Sequence, residues 1–390
     1  MPNPLAPLVT VFATAVAVLA PAAVAVDDTA TAVHSTGNAG RAGSPGSTGS
    51  TGTARAARAR HNPFLAHPWG IYQGPMEPSW VAWKKATGTA KRRLAYIAHK
   101  PKDHWFGHWN SNDQIARQVH DYIKNSQAGN PDALVQMAVF RVVPWEHEAC
   151  RRLPTHAERA SYKHWIQRFA AAVGHTPTAI VLQPDGPFAL CAPHGSRVPS
   201  RLVAYASRVL SAQPRTSVYI EAGAADWPVF GPRGGVKAAV KILVRGGIRY
   251  AHGFALDTTH YDSVADEVTR ATAIIKTLRR KGYAGRRAVI NTSNNGHPFK
   301  FGRYTGSDPT NPVVCPRKRT PRSVTCETLG IPPTAAVAAD RWNLPATTAQ
   351  RAARYVDAYL WFGRPWLHHA GSQPFVTKRA IKLVRTTPFR

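Results

Sequence analysis

The feature of this sequence that most restricts its fold is an alternation of short apolar runs with longer amphipathic stretches, which begins after residue 60. The short runs are rich in Val, Ile, Tyr and Phe and have the length of buried strands. The stretches between them repeat apolar residues at spacings of three and four, which is typical of helices. Strands that alternate with helices pair in parallel, so the sequence predicts an α/β fold with a parallel sheet or barrel.

The predicted elements can be placed along the chain. The seven predicted strands are Leu94–Ala98, Leu134–Val143, Ala179–Gln183, Ser217–Glu221, Ala251–Leu256, Ala288–Asn291 and Ala358–Phe362. The predicted helices include Asp113–Asn125, Ala157–Val173, Pro199–Ala212, Ala265–Arg280 and Thr348–Val356. Residues 296–346 hold little periodicity and much Pro, Gly and Arg, so we expect a long loop across one face of the domain. Loops of that length in a compact domain usually carry function.

The beginning of the chain predicts export. Residues 1–25 form an uncharged run rich in Ala, Val and Leu that ends in Ala23-Val24-Ala25, a pattern typical of a signal peptide and its cleavage site. A membrane anchor is the alternative, but Pro7 and Pro21 interrupt the run and favour removal. Residues 26–60 are mostly Gly, Ser, Thr and Ala, which predicts a disordered linker. We therefore expect a secreted protein, extracellular or associated with the cell wall, whose folded domain is residues 61–390.

The four cysteines of an exported chain predict two disulfides, for which three pairings exist. No Cys-x-x-Cys or Cys/His metal spacing occurs, and no Gly-x-Ser-x-Gly elbow is present to place a nucleophilic serine. We accordingly expect no metal and no organic cofactor.

The formal charge is +29, from 50 Lys and Arg against 21 Asp and Glu. Outside a cell this charge favours contact with an anionic cell-wall polymer or an acidic polysaccharide. The alternative is a solvated basic surface without a partner, because many of the Arg residues are spread along predicted helices. The densest cluster outside the helices, Arg317-Lys318-Arg319, is too short to indicate nucleic acid, which we do not expect as a partner. No stable protein partner is predicted.

Acidic and amide side chains follow the predicted strands where each strand ends. In a parallel barrel these ends meet on one face. Carboxylates there can handle protons and sugar hydroxyls, and indole rings can stack on pyranose faces. The alternative, that such residues only end strands and cap helices, weakens when five acids occur in succession. The strand-end residues are Glu146, Glu148, Asp185, Glu221, Asp257 and Asn291, and the nearby indoles are Trp69, Trp227 and Trp361.

Several blocks of the sequence resemble, in order, those of the family 6 glycoside hydrolases, the cellobiohydrolases and endoglucanases. The blocks are residues 62–69, residues 180–185, residues 218–223 with Trp227, residues 253–257, residues 291–296 and residues 357–361. The resemblance implies a distorted, roughly seven-stranded parallel β/α barrel. It also implies a glycosidase that cleaves a β-linked glucan such as cellulose, or a related polysaccharide, with inversion of the anomeric centre.

The resemblance also implies roles for individual residues. Asp185 matches the family's general acid, and Gln183 stands where the family has Glu. Such an acid needs a raised pKa, which a neighbouring carboxylate helps to produce. Glu148 is the expected neighbour and Glu146 the alternative. The substrate-binding candidates are Trp69, Trp227, Glu221, Asp257, His260, Asn291 and Trp361, and the implied disulfides are Cys150 with Cys191 and Cys315 with Cys326.

One departure from the family pattern affects the mechanism. The family carries a late Lys-Pro-Gly-Gly-Glu-Cys-Asp type of block that supplies the base candidate, whereas this chain reads Phe362-Gly363-Arg364-Pro365-Trp366-Leu367. Either Glu148 or Glu146 could then accept the proton of the attacking water through a water chain, or Asp257 could do so directly. Two non-catalytic hypotheses stay open: a polysaccharide-binding protein on the same barrel, and a wall-associated structural protein held by its basic surface.

Overall fold

Seven parallel strands form one curled sheet in the order β1 to β7, so that each strand pairs with its neighbours in sequence. The strands are β1 His104–Gly107, β2 Val135–Phe140, β3 Thr178–Leu182, β4 Thr216–Glu221, β5 Gly253–Leu256, β6 Arg287–Asn291 and β7 Val356–Leu360. The edges approach each other where the Asp103 amide donates to Trp361 O and Trp105 Nε1 donates to Phe362 O. The predicted seven-stranded parallel β/α barrel is confirmed.

This computed structural model describes residues 62–228, 235–369 and 374–390. The expected signal peptide and linker lie outside the described residues. All the described residues belong to one compact unit, Gly49–Arg390. Among the described helices, none combines the length and apolar character needed to cross a membrane.

Helices cover the outside of the sheet. Those described are α1 Pro63–Ala66, α2 Pro78–Lys85, α3 Gly88–Ala98, α4 Ile115–Gln127, α5 His156–Val173, α6 Val198–Leu210, α7 Val236–Arg245, α8 Val264–Arg280, α9 Ala346–Tyr355 and α10 Thr377–Thr386. Helix α5 begins at a capping box in which Thr155 and Glu158 bond each other's backbone amides. Every residue of β2, β3 and β5 is buried. The apolar runs therefore arise because the sheet is covered on both faces.

One predicted strand is wrong. Leu94–Ala98 ends helix α3, where Leu94, Ile97 and Ala98 are buried at helical spacing. The first strand is instead His104–Gly107, a four-residue segment whose polar and glycine ends give little strand signal. A short apolar run does not distinguish a buried helix turn from a strand, which explains the error.

Both implied disulfides are confirmed, Cys150 with Cys191 and Cys315 with Cys326. The first joins the segment after β2 to the segment after β3. The second lies inside the long connection between β6 and α9, whose described regular structure is limited to the short 3-10 turns Phe301–Arg303 and Asp340–Trp342. The predicted long loop is thus present.

Candidate active site

Asp185 lies at the mouth formed by the carboxyl ends of the strands. It follows β3 in a left-handed backbone conformation, with φ of 59°, and a 3-10 turn begins directly after it at Gly186. A Cβ atom on Gly186 would lie 2.1 Å from the carbonyl oxygen of Glu221. Glycine is therefore required for the Asp185 loop to pack against the end of β4.

The surroundings of Asp185 raise the pKa of its carboxyl group. Its side chain is half-buried, and its Oδ1 accepts a 2.8 Å hydrogen bond from Thr259 Oγ1. Burial is the main cause that raises the pKa of Asp185 to about 6, and the negative charge of Glu146 adds to it. The Thr259 hydrogen bond and the electrostatic effect of the nearby His260 lower the pKa of Asp185. A carboxyl group with this pKa can hold a proton in mildly acidic solution and release it to a leaving group.

The two glutamates after β2 differ in their surroundings. Both lie in the 3-10 turn Glu146–Cys150 and both are exposed. Glu148 is 3.8 Å from the Arg152 guanidinium, one helical turn along the chain. Glu146 is the carboxylate that raises the pKa of Asp185. The structure therefore favours the alternative, Glu146, over Glu148 as the charged neighbour of Asp185.

Glu221 holds two loops together beneath the mouth. Its carboxylate is buried and accepts hydrogen bonds from the backbone amides of Gly186, at 2.6 Å, and Gly223, at 2.8 Å. Burial and the nearby Asp185 raise the pKa of Glu221 well above its usual range. Glu221 therefore positions the Asp185 loop, and both its oxygens are engaged by the protein.

Asp257 and Asn291 are fully buried. The Asp257 carboxylate accepts 3.3 Å hydrogen bonds from the Asp262 amide and from Asn295 Nδ2. Burial raises the pKa of Asp257 well above its usual range. Asn291 Oδ1 accepts from the amides of Phe362 and Gly363, which ties the end of β6 to the end of β7. Both predicted contact residues thus support the mouth from inside the barrel.

Trp227 and His260 form an aromatic stack beside Asp185. Their ring centroids are 5.1 Å apart and nearly parallel, and Phe301 stacks on the other side of His260 at 4.7 Å. Asp226 Oδ1 lies 2.6 Å from His260 Nδ1 and fixes the orientation of the imidazole. Phe188, three residues after Asp185, contacts the Trp227 ring edge-on at 5.4 Å. Both faces of the His260 ring are therefore covered, and the half-buried Trp227 ring is the member of the stack on which a pyranose could pack.

Trp69 and Trp361 are not placed as predicted. Trp69 pairs with Leu134, immediately before β2, and so lies at the end of the strands opposite the mouth. Its Nε1 donates to Phe64 O. Trp361 follows β7, but it is fully buried and its Nε1 donates to Ile331 O. Neither ring is available to a sugar at the mouth, because strand-end position in sequence does not fix the direction of a side chain.

Two residues at the mouth were missing from the predicted set. Trp109 follows β1 and is 49% exposed. Its ring lies over Gly107, where a Cβ atom would come within 2.5 Å of it. Arg364 follows β7, and its guanidinium lies 4.1 Å from the Trp105 ring centroid. The misplaced first strand concealed Trp109, since its position at a strand end was not recognisable without β1.

Two groups of side chains near the mouth have the chemistry of metal ligands. Asp226, His260 and Asp262 form one, and Asp257, Asp262 and Glu267 form the other, with ligand atoms within 4.8 Å of each other. The ammonium of Lys300 already bonds to Asp262, and backbone amides occupy oxygens of Asp226, Asp257 and Glu267. These bonds account for most of the ligand atoms without an ion.

Fold and mouth together define a class: a parallel β/α barrel that holds a carboxylic acid of raised pKa beside stacked aromatic rings, as carbohydrate-active barrels do. The family model for glycosyl hydrolases family 6 matches residues 72–338, more than half of the 390 residues. The chain belongs to glycosyl hydrolases family 6, as predicted.

The curated relatives carry the name endoglucanase. Endoglucanase A of Cellulomonas fimi is 30% identical over 234 residues, which cover 58% of this chain and 47% of that protein. Endoglucanase 1 of Streptomyces halstedii is 26% identical over 238 residues, which cover 58% of this chain and 70% of that protein. The match therefore spans about half the length of the Cellulomonas protein.

Solved structures share the fold. The endoglucanase Cel6 of Mycobacterium tuberculosis, in complex with a thio-linked cello-oligosaccharide, matches with a TM-score of 0.64 and 24% identity. That match covers 83% of this chain and 98% of the other. A family 6 enzyme of Orpinomyces sp. Y102 matches with a TM-score of 0.62 and 12% identity, over 84% of this chain and 99% of the other. At these identities the likeness concerns the fold.

Proposed function

We propose that this protein is a secreted, inverting glycoside hydrolase that cleaves a β-linked glucan such as cellulose, or a related polysaccharide, with Asp185 as general acid. The observation that carries the proposal is the position of the half-buried Asp185 carboxyl, which follows β3, bonds to Thr259 and lies beside the Trp227 and His260 stack. Burial there raises the pKa of Asp185 to about 6. Membership of family 6 and the endoglucanase names of the relatives support a β-glucan as the substrate class.

The proposed reaction uses one proton from Asp185. As the glycosidic C–O bond breaks, the Asp185 carboxyl transfers its proton to the leaving oxygen, which departs as a sugar hydroxyl. Water attacks the anomeric carbon from the opposite face and gives up a proton to a base, so that the anomeric configuration is inverted. The half-buried Trp227 ring, which His260 supports from behind, positions the sugar by stacking on its face.

The segment that follows β7 does not supply the water-activating base, because residues 358–390 contain no Asp or Glu. Asp257 is a poor candidate, since it is fully buried and its carboxylate already accepts hydrogen bonds from the Asp262 amide and Asn295 Nδ2. Glu148 faces Arg152 in an exposed pair. We assign the role to Glu146, which is exposed and close enough to act on Asp185, with the proton passing through a short water chain.

The lack of acidic residues in the segment 358–390 also favours a second candidate function, a non-catalytic polysaccharide-binding protein. In that case the Trp227 and His260 stack and the exposed Trp109 ring would hold glycan without cleaving it. The half-buried Asp185 carboxyl would then have no catalytic role.

The test is a reducing-end release assay on a panel of β-glucans and wall polysaccharides, with proton NMR of the first product anomer. Wild-type protein should release reducing ends of inverted configuration, and Asp185→Ala should not. Asp121→Ala, at an exposed position on α4, is the matched control and should retain activity. Saturable glycan binding without release by the wild type would instead support the binding protein.

Export is tested separately. We expect the full-length chain, expressed in a bacterial host with a general secretory pathway, to accumulate outside the cytoplasm. The amino-terminal sequence of the mature protein should begin directly after Ala25. A mature protein that retains residues 1–25 would support the membrane anchor instead.

A further inference from the structure

A groove of about 420 Å³ lies on the outer wall of the barrel, between helices α5 and α6. Its lining includes His156, Arg159, Lys163 and His164 from α5 and Tyr205 from α6. The Asp185 carboxylate is not part of this groove. It is a separate concave surface with its own chemistry.

The basic side chains of the groove follow from helix geometry. On α5, His156, Arg159 and Lys163 are spaced by three and four residues, so they share one face of the helix. On α6, Tyr205 lies three residues before Arg208, which places them on neighbouring parts of one face. The two faces meet at the groove and concentrate positive charge along it.

This charge is not neutralised by the protein. No Asp or Glu lines the groove. Within the part of the chain that the structure describes, no ion pair involves Arg159 or Lys163. The neighbouring acid on α5, Glu158, is bonded at 2.9 Å to Arg152. Like charges three or four residues apart on a helix repel each other, so a bound anion would relieve that repulsion as well as add contacts.

Tyr205 gives the groove a sugar-binding element. Lys163 Nζ lies 5.7 Å from the Tyr205 ring centroid, and the Arg208 guanidinium lies 5.8 Å from it. A half-buried aromatic face between two cations suits a ring that carries both an apolar face and an anionic substituent. Carboxylate, sulfate and phosphate groups all bind such cations through charge-assisted hydrogen bonds.

We propose that the groove between α5 and α6 is an exosite for an anionic polysaccharide, whose sugar rings pack on Tyr205 while its acidic groups bind Arg159 and Lys163. Helix α5 begins shortly after the turn that carries Glu146, so the groove runs down the barrel wall from the rim of the mouth. A polymer bound there would hold the protein on an acidic matrix. This exosite does not depend on the chemistry proposed for Asp185.

The experiment measures binding of the folded protein to polyglucuronate, heparin, poly(glycerol phosphate) and neutral hydroxyethyl cellulose at low and at physiological salt. The test variant is Arg159→Ala with Lys163→Ala. The matched control is Arg279→Ala with Arg280→Ala, which removes the same charge from exposed positions at the end of α8. We expect the test variant to bind polyglucuronate or heparin about tenfold more weakly, and the control to bind within about twofold of wild type.

Four further readouts separate this proposal from others. Tyr205→Leu should weaken binding of polyglucuronate more than binding of poly(glycerol phosphate), because only the former has sugar rings to stack. Equal losses in the two charge variants would overturn the proposal in favour of diffuse attraction by the net charge. Single-stranded DNA binding as tight as polyglucuronate binding would also overturn it. Hydrolysis of a neutral glucan should be the same in the test variant and wild type, so failure of the exosite and failure of the proposed enzyme are distinguishable.

Discussion

The Thr259 hydroxyl donates a 2.8 Å hydrogen bond to the Asp185 carboxylate, and this bond joins the end of β3 to the loop that follows β5. Because a hydrogen bond to a carboxylate favours its charged form, Thr259 limits how far burial raises the pKa of Asp185. The pKa of the proposed acid, which follows β3, therefore depends on a residue that follows β5 and is distant in sequence.

Thr259→Val should raise the pKa of Asp185, since the substitution removes the donor while nearly keeping the side-chain shape. We expect the alkaline limb of kcat/KM, near pH 6 in the wild type, to move upward by up to about one pH unit. Thr259→Ser, which keeps the hydroxyl, should leave the limb in place. A limb that stays fixed in Thr259→Val, or moves downward, would contradict this role.

Glu146→Gln should have the opposite effect on the same limb. Its negative charge raises the pKa of Asp185, so neutralising it should lower the limb by a few tenths of a pH unit, as expected for a charge screened by solvent. If Glu146 also accepts the proton from water, kcat should fall as well, and added azide should restore turnover by replacing the water. Glu148→Gln is the matched control and should change neither quantity; an equal effect of the two substitutions would restore Glu148 as a candidate.

Asp185→Asn should stabilise the fold at pH 8 but not at pH 4. The pKa of Asp185 is raised from 3.8 to about 6 on folding, so the folded state binds more protons between these values and its stability falls as pH rises through them. Above pH 6 the charged Asp185 carboxylate lowers the free energy of unfolding by a constant amount, and the neutral amide removes this loss. We expect a gain of about 1–3 kcal/mol in the free energy of unfolding at pH 8 by urea denaturation; equal stability of the two proteins at pH 8 would contradict the raised pKa.

The strands, their parallel pairing and the disulfides were predictable because each leaves a local or family-level pattern in the sequence. Six of the seven predicted strands overlap observed ones, since apolar runs covered on both faces are distinctive. The first strand was misplaced because His104–Gly107 carries a weaker pattern than the buried end of α3.

The site was predictable only in part. Asp185 lies at the mouth as its position after β3 indicated, but the roles of Trp69 and Trp361 depended on side-chain direction. Glu146 and Glu148 are two residues apart, and only the path of the turn decides which one acts on Asp185. Thr259 had no signal of its own, because its importance comes from a partner 74 residues away.

Arg379 should be important for stability, because it joins α10 to the long loop after β6. Its guanidinium bonds to the buried carboxylate of Glu327 and donates to the carbonyl oxygens of Pro312 and Pro365. Arg379→Met leaves the buried Glu327 without its partner, which should cost about 3–5 kcal/mol at pH 9, where the paired carboxylate is charged. Arg385→Met, at an exposed position on the same helix, should cost little.

The double variant Arg379→Met with Glu327→Gln tests the reason for that loss. Burial already raises the pKa of Glu327 to about 8, and the arginine opposes that rise. Replacing the carboxylate by an amide should therefore recover part of the stability at pH 9. A double variant less stable than Arg379→Met, measured by urea denaturation, would show that the ion pair is not the cause.

The central claim, that Asp185 protonates the leaving oxygen, is tested most directly by comparing two leaving groups in wild type and Asp185→Ala. A natural β-glucan needs protonation to leave, whereas a glucosyl or cellobiosyl fluoride does not. If Asp185 is the acid, the variant should lose about 10²–10⁴-fold in kcat/KM on the glucan and retain near wild-type values on the fluoride. Equal losses on both substrates, or retained activity on the glucan, would contradict the assignment.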